Sequence, residues 1–132
     1  MQGQATGEFG IQREKLPARA VGGGVELMHV RFRKHFSGPL EADSVVEMFG
    51  HMTATEGSGA YVALERVEGT LDGRGGSFML QHAGSMERGA QSLVVSVVPD
   101  SGDGGLSGLR GTMRIDIVDG RHFYGFDYSL PD

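Results

Sequence analysis

The chain has 132 residues, 39% of them hydrophobic, with 23 glycines and 4 prolines; that is the size of one domain, and it excludes disorder, collagen and coiled coil. A net charge of −5 argues against a general nucleic-acid surface, and the absence of cysteine removes disulfides, thiolate catalysis and cysteine zinc sites together.

Along the chain, helical periodicity is almost absent and period-two alternation recurs between turn clusters. The pattern predicts a short strand at 5–11, then a loop carrying Pro17 and Gly22-Gly23-Gly24, then a long strand at 25–37. Within that long strand, Arg31-Phe32-Arg33-Lys34-His35 reads as a solvated or subunit-facing face. Further strands are predicted at 43–54, 59–70, 76–86, 90–99, 111–118 and 121–130. Breakers separate them, and Asp119-Gly120 between two alternating runs signals a type I′ hairpin. Residues 100–111 are neither strand nor tight turn. Leu106 and Leu109 are three apart, so one turn of helix near 104–109 would put both on one side as a plug for a barrel mouth. The glycines there do not make a phosphate loop, because no Lys-Ser/Thr ending and no following helix accompany them.

Eight strands joined mostly by short turns form an antiparallel meander. Such a sheet closes into a barrel or leaves two exposed edges, and closure removes them. The expected fold is therefore all-β: a single domain over 1–132 forming a closed eight-stranded antiparallel meander barrel. Its interior is just wide enough for packed side chains or one small ligand.

The hairpin at 59–86 carries the candidate chemistry. Tyr61, Ala63, Glu65 and Val67 share one face of its first arm, and Phe78, Leu80 and His82 share one face of the second. A two-residue turn at Gly73-Arg74 sets Glu65 opposite His82. A two-residue turn at Asp72-Gly73 makes them diagonal on the same face, and a three-residue turn puts them on opposite faces. On one face, a carboxylate beside an imidazole can donate and accept protons near neutrality. The same arrangement also reads as a buried pair with no chemistry. His29 and His35 share the Arg31 and Arg33 face, expected to be the outside. His51 and His122 lie elsewhere, and no histidine spacing marks a metal site. Leu93-Val94-Val95 and Val97-Val98 are apolar on both faces around Ser96, so a homo-oligomer is expected.

The runs 61–84 and 98–111, with Ala5-Thr6-Gly7-Glu8-Phe9 and Phe36-Ser37-Gly38, resemble a bacterial family of unknown function described as having the allene-oxide-cyclase type of barrel. The resemblance covers nearly the whole chain. Ala63 stands where that family usually has glycine, and Asp103 where it usually has threonine. The Gly-x-Gly-x-Leu-x-Gly pattern from Gly102 to Gly108 also looks like the loop of plant allene oxide cyclases and dirigent proteins. The resemblance implies an eight-stranded barrel, often oligomeric, with a cavity. The plant enzymes close a ring with no cofactor, but their polar site residues do not match positions here, so that activity is not carried over.

The functional expectation is an internal apolar small-molecule pocket, leaning to a cofactor-free isomerase or cyclase. Glu65 would act as general base or charge stabiliser and His82 as its acid–base partner. Tyr61, Ala63, Phe78, Leu80, Leu106 and Arg110 would line the pocket. Two alternatives stand beside it. One is a carrier or sensor that leaves a hydrophobic metabolite unchanged. The other is a structural oligomer with a filled barrel and no cavity above about 300 Å³. No metal, cofactor, nucleic-acid or membrane partner is expected. No apolar run nears the ~18 residues of a membrane span. The start Met1-Gln2-Gly3-Gln4-Ala5 has no signal-peptide pattern, so a cytoplasmic location is the expectation.

Overall fold

A computed structural model describes residues 1–132 and is all-β apart from one 3-10 turn at Gly104–Leu106. The strands are β1 (Gln2–Gly22), β2 (Val25–Ser37), β3 (Leu40–Met52), β4 (Gly59–Leu71), β5 (Arg74–Glu87), β6 (Ala90–Val97), β7 (Arg110–Val118) and β8 (Arg121–Ser129). Each pairs antiparallel with its chain neighbours, and β1 pairs with β8 to close an eight-stranded barrel. No helix is long and apolar enough to cross a membrane.

Of the loop expected over 12–24, residues 12–22 are strand and Gly23-Gly24 form the turn into β2. β1 runs on to Gly22 and pairs with β2 through most of that length. Pro17 cannot donate to a ladder, and the register skips between Leu16 and Arg19 to accommodate it. Pairing of β1 with β8 stops at Phe9, and pairing of β2 with β3 begins at Met28. Residues 16–27 are therefore a two-stranded arm projecting past the barrel.

Alternation decides what enters the barrel. Val30, Lys34 and Phe36 of β2, Ala42, Ser44 and Val46 of β3, Ala63, Glu65 and Val67 of β4, and Phe78, Leu80 and His82 of β5 all face inward and are buried. The apolar core fills one end. Phe36, Leu40, Leu71, Phe78 and Phe126 meet there, and Leu106 and Leu109 from the 98–109 segment seal it. Part of the glycine content serves this interior. Each of the three tyrosines faces a glycine on the adjacent strand: Tyr61 opposite Gly84, Tyr124 opposite Gly7, Tyr128 opposite Gly3. A Cβ on any of these glycines would run into the tyrosine ring, so the ring lies flat on bare backbone.

Two further features position the site. At the β4–β5 turn, Asp72 (φ 48°) and Gly73 (φ 81°) are both left-handed, the backbone of a type I′ turn. That turn sets Glu65 opposite Leu80 and Ala63 opposite His82. The direct-facing register offered by a Gly73-Arg74 turn is not the one formed; Glu65 and His82 are diagonal neighbours on one face. At the other seam, β6 and β7 share a single register pair, Ser96 with Thr112. Beyond Val97 the 98–109 segment takes over as the partner of β5. Ser77 N–H donates to the Asp103 carboxylate at 2.8 Å, and Met79 N–H donates to Ser101 Oγ at 3.0 Å.

Candidate functional site

Four consecutive strands each bring one polar side chain to the same interior point: Lys34 from β2, Ser44 from β3, Glu65 from β4 and His82 from β5. Glu65 is completely buried and the other three are nearly so. Glu65 Oε1 accepts from His82 Nε2 at 2.7 Å and from Lys34 Nζ at 3.2 Å, and Oε2 accepts from Ser44 Oγ at 2.6 Å. Lys34 Nζ also stands over the Phe9 ring at 4.8 Å and the Phe36 ring at 5.7 Å.

Burial alone pushes the Glu65 carboxyl up. The hydrogen bond from His82, the Lys34 charge and the Ser44 hydroxyl together outweigh it and hold the carboxyl below its ordinary range. The carboxylate is therefore ionised at neutral pH, and an ionised carboxylate only accepts. His82 Nε2 must carry the hydrogen, so in the neutral form of the ring the lone pair is on Nδ1. Nδ1 has no partner within the protein and is not among its sealed, unpartnered polar atoms.

Above this cluster the barrel is open. A cavity of about 610 Å³ has Lys34, His82, Tyr61 and Ala63 in its walls, together with apolar side chains such as Phe9, Val46 and Ile115. It extends to where β6 and β7 part: Gln91 and Leu93 stand on one side, Ile115 and Ile117 on the other. A neighbouring lobe of about 310 Å³ shares Met48, Tyr61, Gln91 and Leu93 with it and adds Met28, Met52 and Met86. Flexible thioethers make such walls adaptable.

The site residues expected from sequence divide into three groups. Glu65 and His82 meet, with Tyr61 and Ala63 in the cavity wall beside His82. Phe78 and Leu80 do not reach the cavity; they lie in the packed core, as does Leu106 in the plug. Arg110 is elsewhere, on the outer face of β7 in a groove with Gln4, Asp127 and Ser129. The reason is depth along the barrel: residues toward the Asp72 turn and the 98–109 segment enter the filled end, and only those toward the opposite end meet open space.

Lys34 was missed because the basic run around it reads as an outer face. Its parity shows otherwise: Val30, Phe32, Lys34 and Phe36 share one face of β2, apolar but for the lysine. His29 does lie on the outside with Arg31, but it is buried there, stacked on Phe49 at 4.3 Å and bonded to Glu47 at 3.0 Å. His35 is exposed between Glu41 and Asp43, and the hydrogen bond to Asp43 raises its pKa. His122 is at the cavity rim against Phe9. No three His, Asp or Glu side chains are grouped to hold a metal ion.

Comparison with known proteins gives the following. A family model described as a protein of unknown function (DUF3224) matches residues 5–128. A crystal structure at 1.84 Å of a DUF3224-family protein of unknown function from Shewanella oneidensis MR-1 is 46% identical, has a TM-score of 0.92, and is matched over 100% of both chains. No curated protein matches the chain.

Proposed function

The chain belongs to the DUF3224 family of proteins of unknown function, and we propose that it takes up a mainly apolar small molecule in the barrel cavity and isomerises it without a cofactor, using the Glu65–His82 pair. One observation carries this reading: a fully buried carboxyl group stands behind a histidine that lines an open cavity of about 610 Å³. That volume lies in the range of small-molecule sites. Glu65 has no exposed surface, so it acts through His82 as charge stabiliser and positioning residue. His82 is the group that meets the ligand, as in other carboxylate-oriented imidazoles. Phe78 and Leu80 support the cluster from below.

Native mass spectrometry of freshly purified protein, followed by denaturation and small-molecule analysis, tests the pocket. A stoichiometric apolar metabolite that emerges as an isomer of equal mass is the expected result. An empty protein that takes nothing from a lipophilic library would reduce the cluster to a buried ion pair. The carrier alternative draws on the methionine-walled lobe, since adaptable walls suit varied ligands without chemistry. In that case the ligand leaves unchanged and Glu65→Gln is tolerated in function.

We also infer a second copy as partner. A two-stranded ribbon with no third strand is marginal in water, and the 16–27 arm is such a ribbon, with Val21 and Val25 exposed. The barrel wall adds Val62, Leu64 and Val94, all more than half exposed.

A further inference from the structure

The polar atoms at the cavity floor define which chemistry would fit there. His82 and Lys34 donate to the same oxygen of Glu65, so imidazole and ammonium stand side by side. Lys34 has three N–H groups and spends one on Glu65; Nζ makes no other hydrogen bond, stands over the rings of Phe9 and Phe36, and lines the cavity. Aromatic faces attract a cation but leave its donors free for a better acceptor. His82 offers the opposite capacity, a lone pair on Nδ1. The floor thus presents spare donors on a fixed positive charge beside one basic nitrogen, under walls of Phe32, Val46, Met48 and Ile115. A carbonyl group with a neighbouring C–H bond fills both capacities: its oxygen accepts from Lys34 while the C–H bond points at His82.

Resting on the small-molecule reading above, we propose that the floor is a proton-transfer site for apolar ketones and aldehydes, with His82 as the base and Lys34 as the group that holds the enolate oxygen. The C–H bond beside the carbonyl breaks and its proton goes to His82 Nδ1. The electron pair left behind forms a carbon–carbon double bond, and the carbonyl π pair moves onto oxygen against the Lys34 ammonium. The imidazolium so formed is stabilised by the Glu65 charge on its other nitrogen. The imidazolium N–H exchanges with solvent through the open cavity and returns a proton to the original carbon, or to a more distant carbon of a conjugated enolate, giving the double-bond isomer. Atoms and electrons balance with no oxidant, reductant or cofactor. Lys34 thereby becomes a catalytic residue for this step, and Glu65 remains a positioning residue.

The probe is 1-tetralone, an apolar bicyclic ketone with exchangeable protons at a single carbon. In D₂O, loss of that proton signal is followed by NMR with and without protein, and binding is followed by amide shifts of the cavity residues. The wild type is expected to exchange the bound ketone at least ~100-fold faster than buffer, the scale of general base catalysis. His82→Gln, which can still donate to Glu65, is expected to bind the ketone and exchange it at the buffer rate. Lys34→Met is expected to bind it and lose at least about tenfold in rate; where that single variant does not fold, Lys34→Met with Glu65→Gln, uncharged at the floor, takes its place. Binding with no exchange above buffer overturns the proton-transfer proposal and leaves the pocket intact. Undiminished exchange in folded His82→Gln overturns the assignment of the base. No binding of 1-tetralone overturns both the proposal and the cavity reading beneath it.

Discussion

Glu65 is the residue on which the interior depends. Removing its charge strands Lys34 in the barrel without a counter-ion, and breaking a buried pair in this way costs roughly 3–5 kcal/mol. Glu65→Gln is expected to lower the urea midpoint accordingly. The pH dependence follows from the direction of the shift. The folded carboxyl sits below its ordinary value of 4.5, so the unfolded chain binds more protons between the two values. Its contribution is complete above pH 4.5 and is lost as pH falls through the folded value. Acid titration of stability should show this loss in the wild type, and the component should be missing in Glu65→Gln. Tyr128 runs the opposite way. Burial, then its hydrogen bond to the Asp72 carboxylate, pushes its hydroxyl from 10.0 up to about 12. The bond contributes fully below pH 10 and fades as pH rises toward 12. Tyr128→Phe should cost about 1.5–3 kcal/mol at neutral pH, the scale for a hydrogen bond to a charged group. In chemical denaturation at rising pH the gap between variant and wild type should narrow above 10.

At the scale of elements, the 98–109 segment does the work of a strand without being one. It satisfies the β5 backbone through Ser101 and Asp103 side chains, and it needs Gly76, where an added Cβ would strike the Asp103 carbonyl oxygen. Gly76→Ala should therefore cost about 1–3 kcal/mol, as overpacking does. Gly10→Ala is the control, since a Cβ there meets nothing within 4 Å, and its midpoint should stay put. The arm is tested by excision: replacing residues 17–26 with a two-residue turn should leave the barrel folded and shift sedimentation toward the monomer mass. Most elements were legible because period-two alternation and the glycine breakers are local signals. The length of β1 was not, since Pro17 and the Gly22-Gly23-Gly24 run carry loop composition inside a paired ribbon. The register of the 59–86 hairpin was legible only as alternatives. Asp72 and Gly73 both adopt positive φ; Asp-Gly is a type I′ signal here as at Asp119-Gly120, but glycine first in Gly73-Arg74 suits a type II′ turn as well, so the pattern offered both. The Glu65–His82 meeting survived this ambiguity because both two-residue turns keep them on one face.

For the molecule as a whole, the barrel is filled at the end of the Asp72 turn and hollow toward the Asp119 turn. That asymmetry explains why pocket residues inferred from face alone were partly misassigned. Parity tells inside from outside, but which depth along the axis is filled depends on the plug of Leu106 and Leu109, a tertiary fact. Phe78 and His82 share a face of β5 and differ in fate across two repeats of the pleat. The seam between β6 and β7 is the other global asymmetry, joined at one pair beside the cavity. Its consequence lies in time. Where one bridge holds two strands, parting them is the cheapest fluctuation the wall has, so under the proposal above a ligand's residence time would be set there and its affinity at the floor. Ser96 and Thr112 point outward across that seam, and the chain has no other cysteine to compete. Ser96→Cys with Thr112→Cys, oxidised, should slow arrival and departure of 1-tetralone by the same factor in exchange NMR and leave its equilibrium constant where it was.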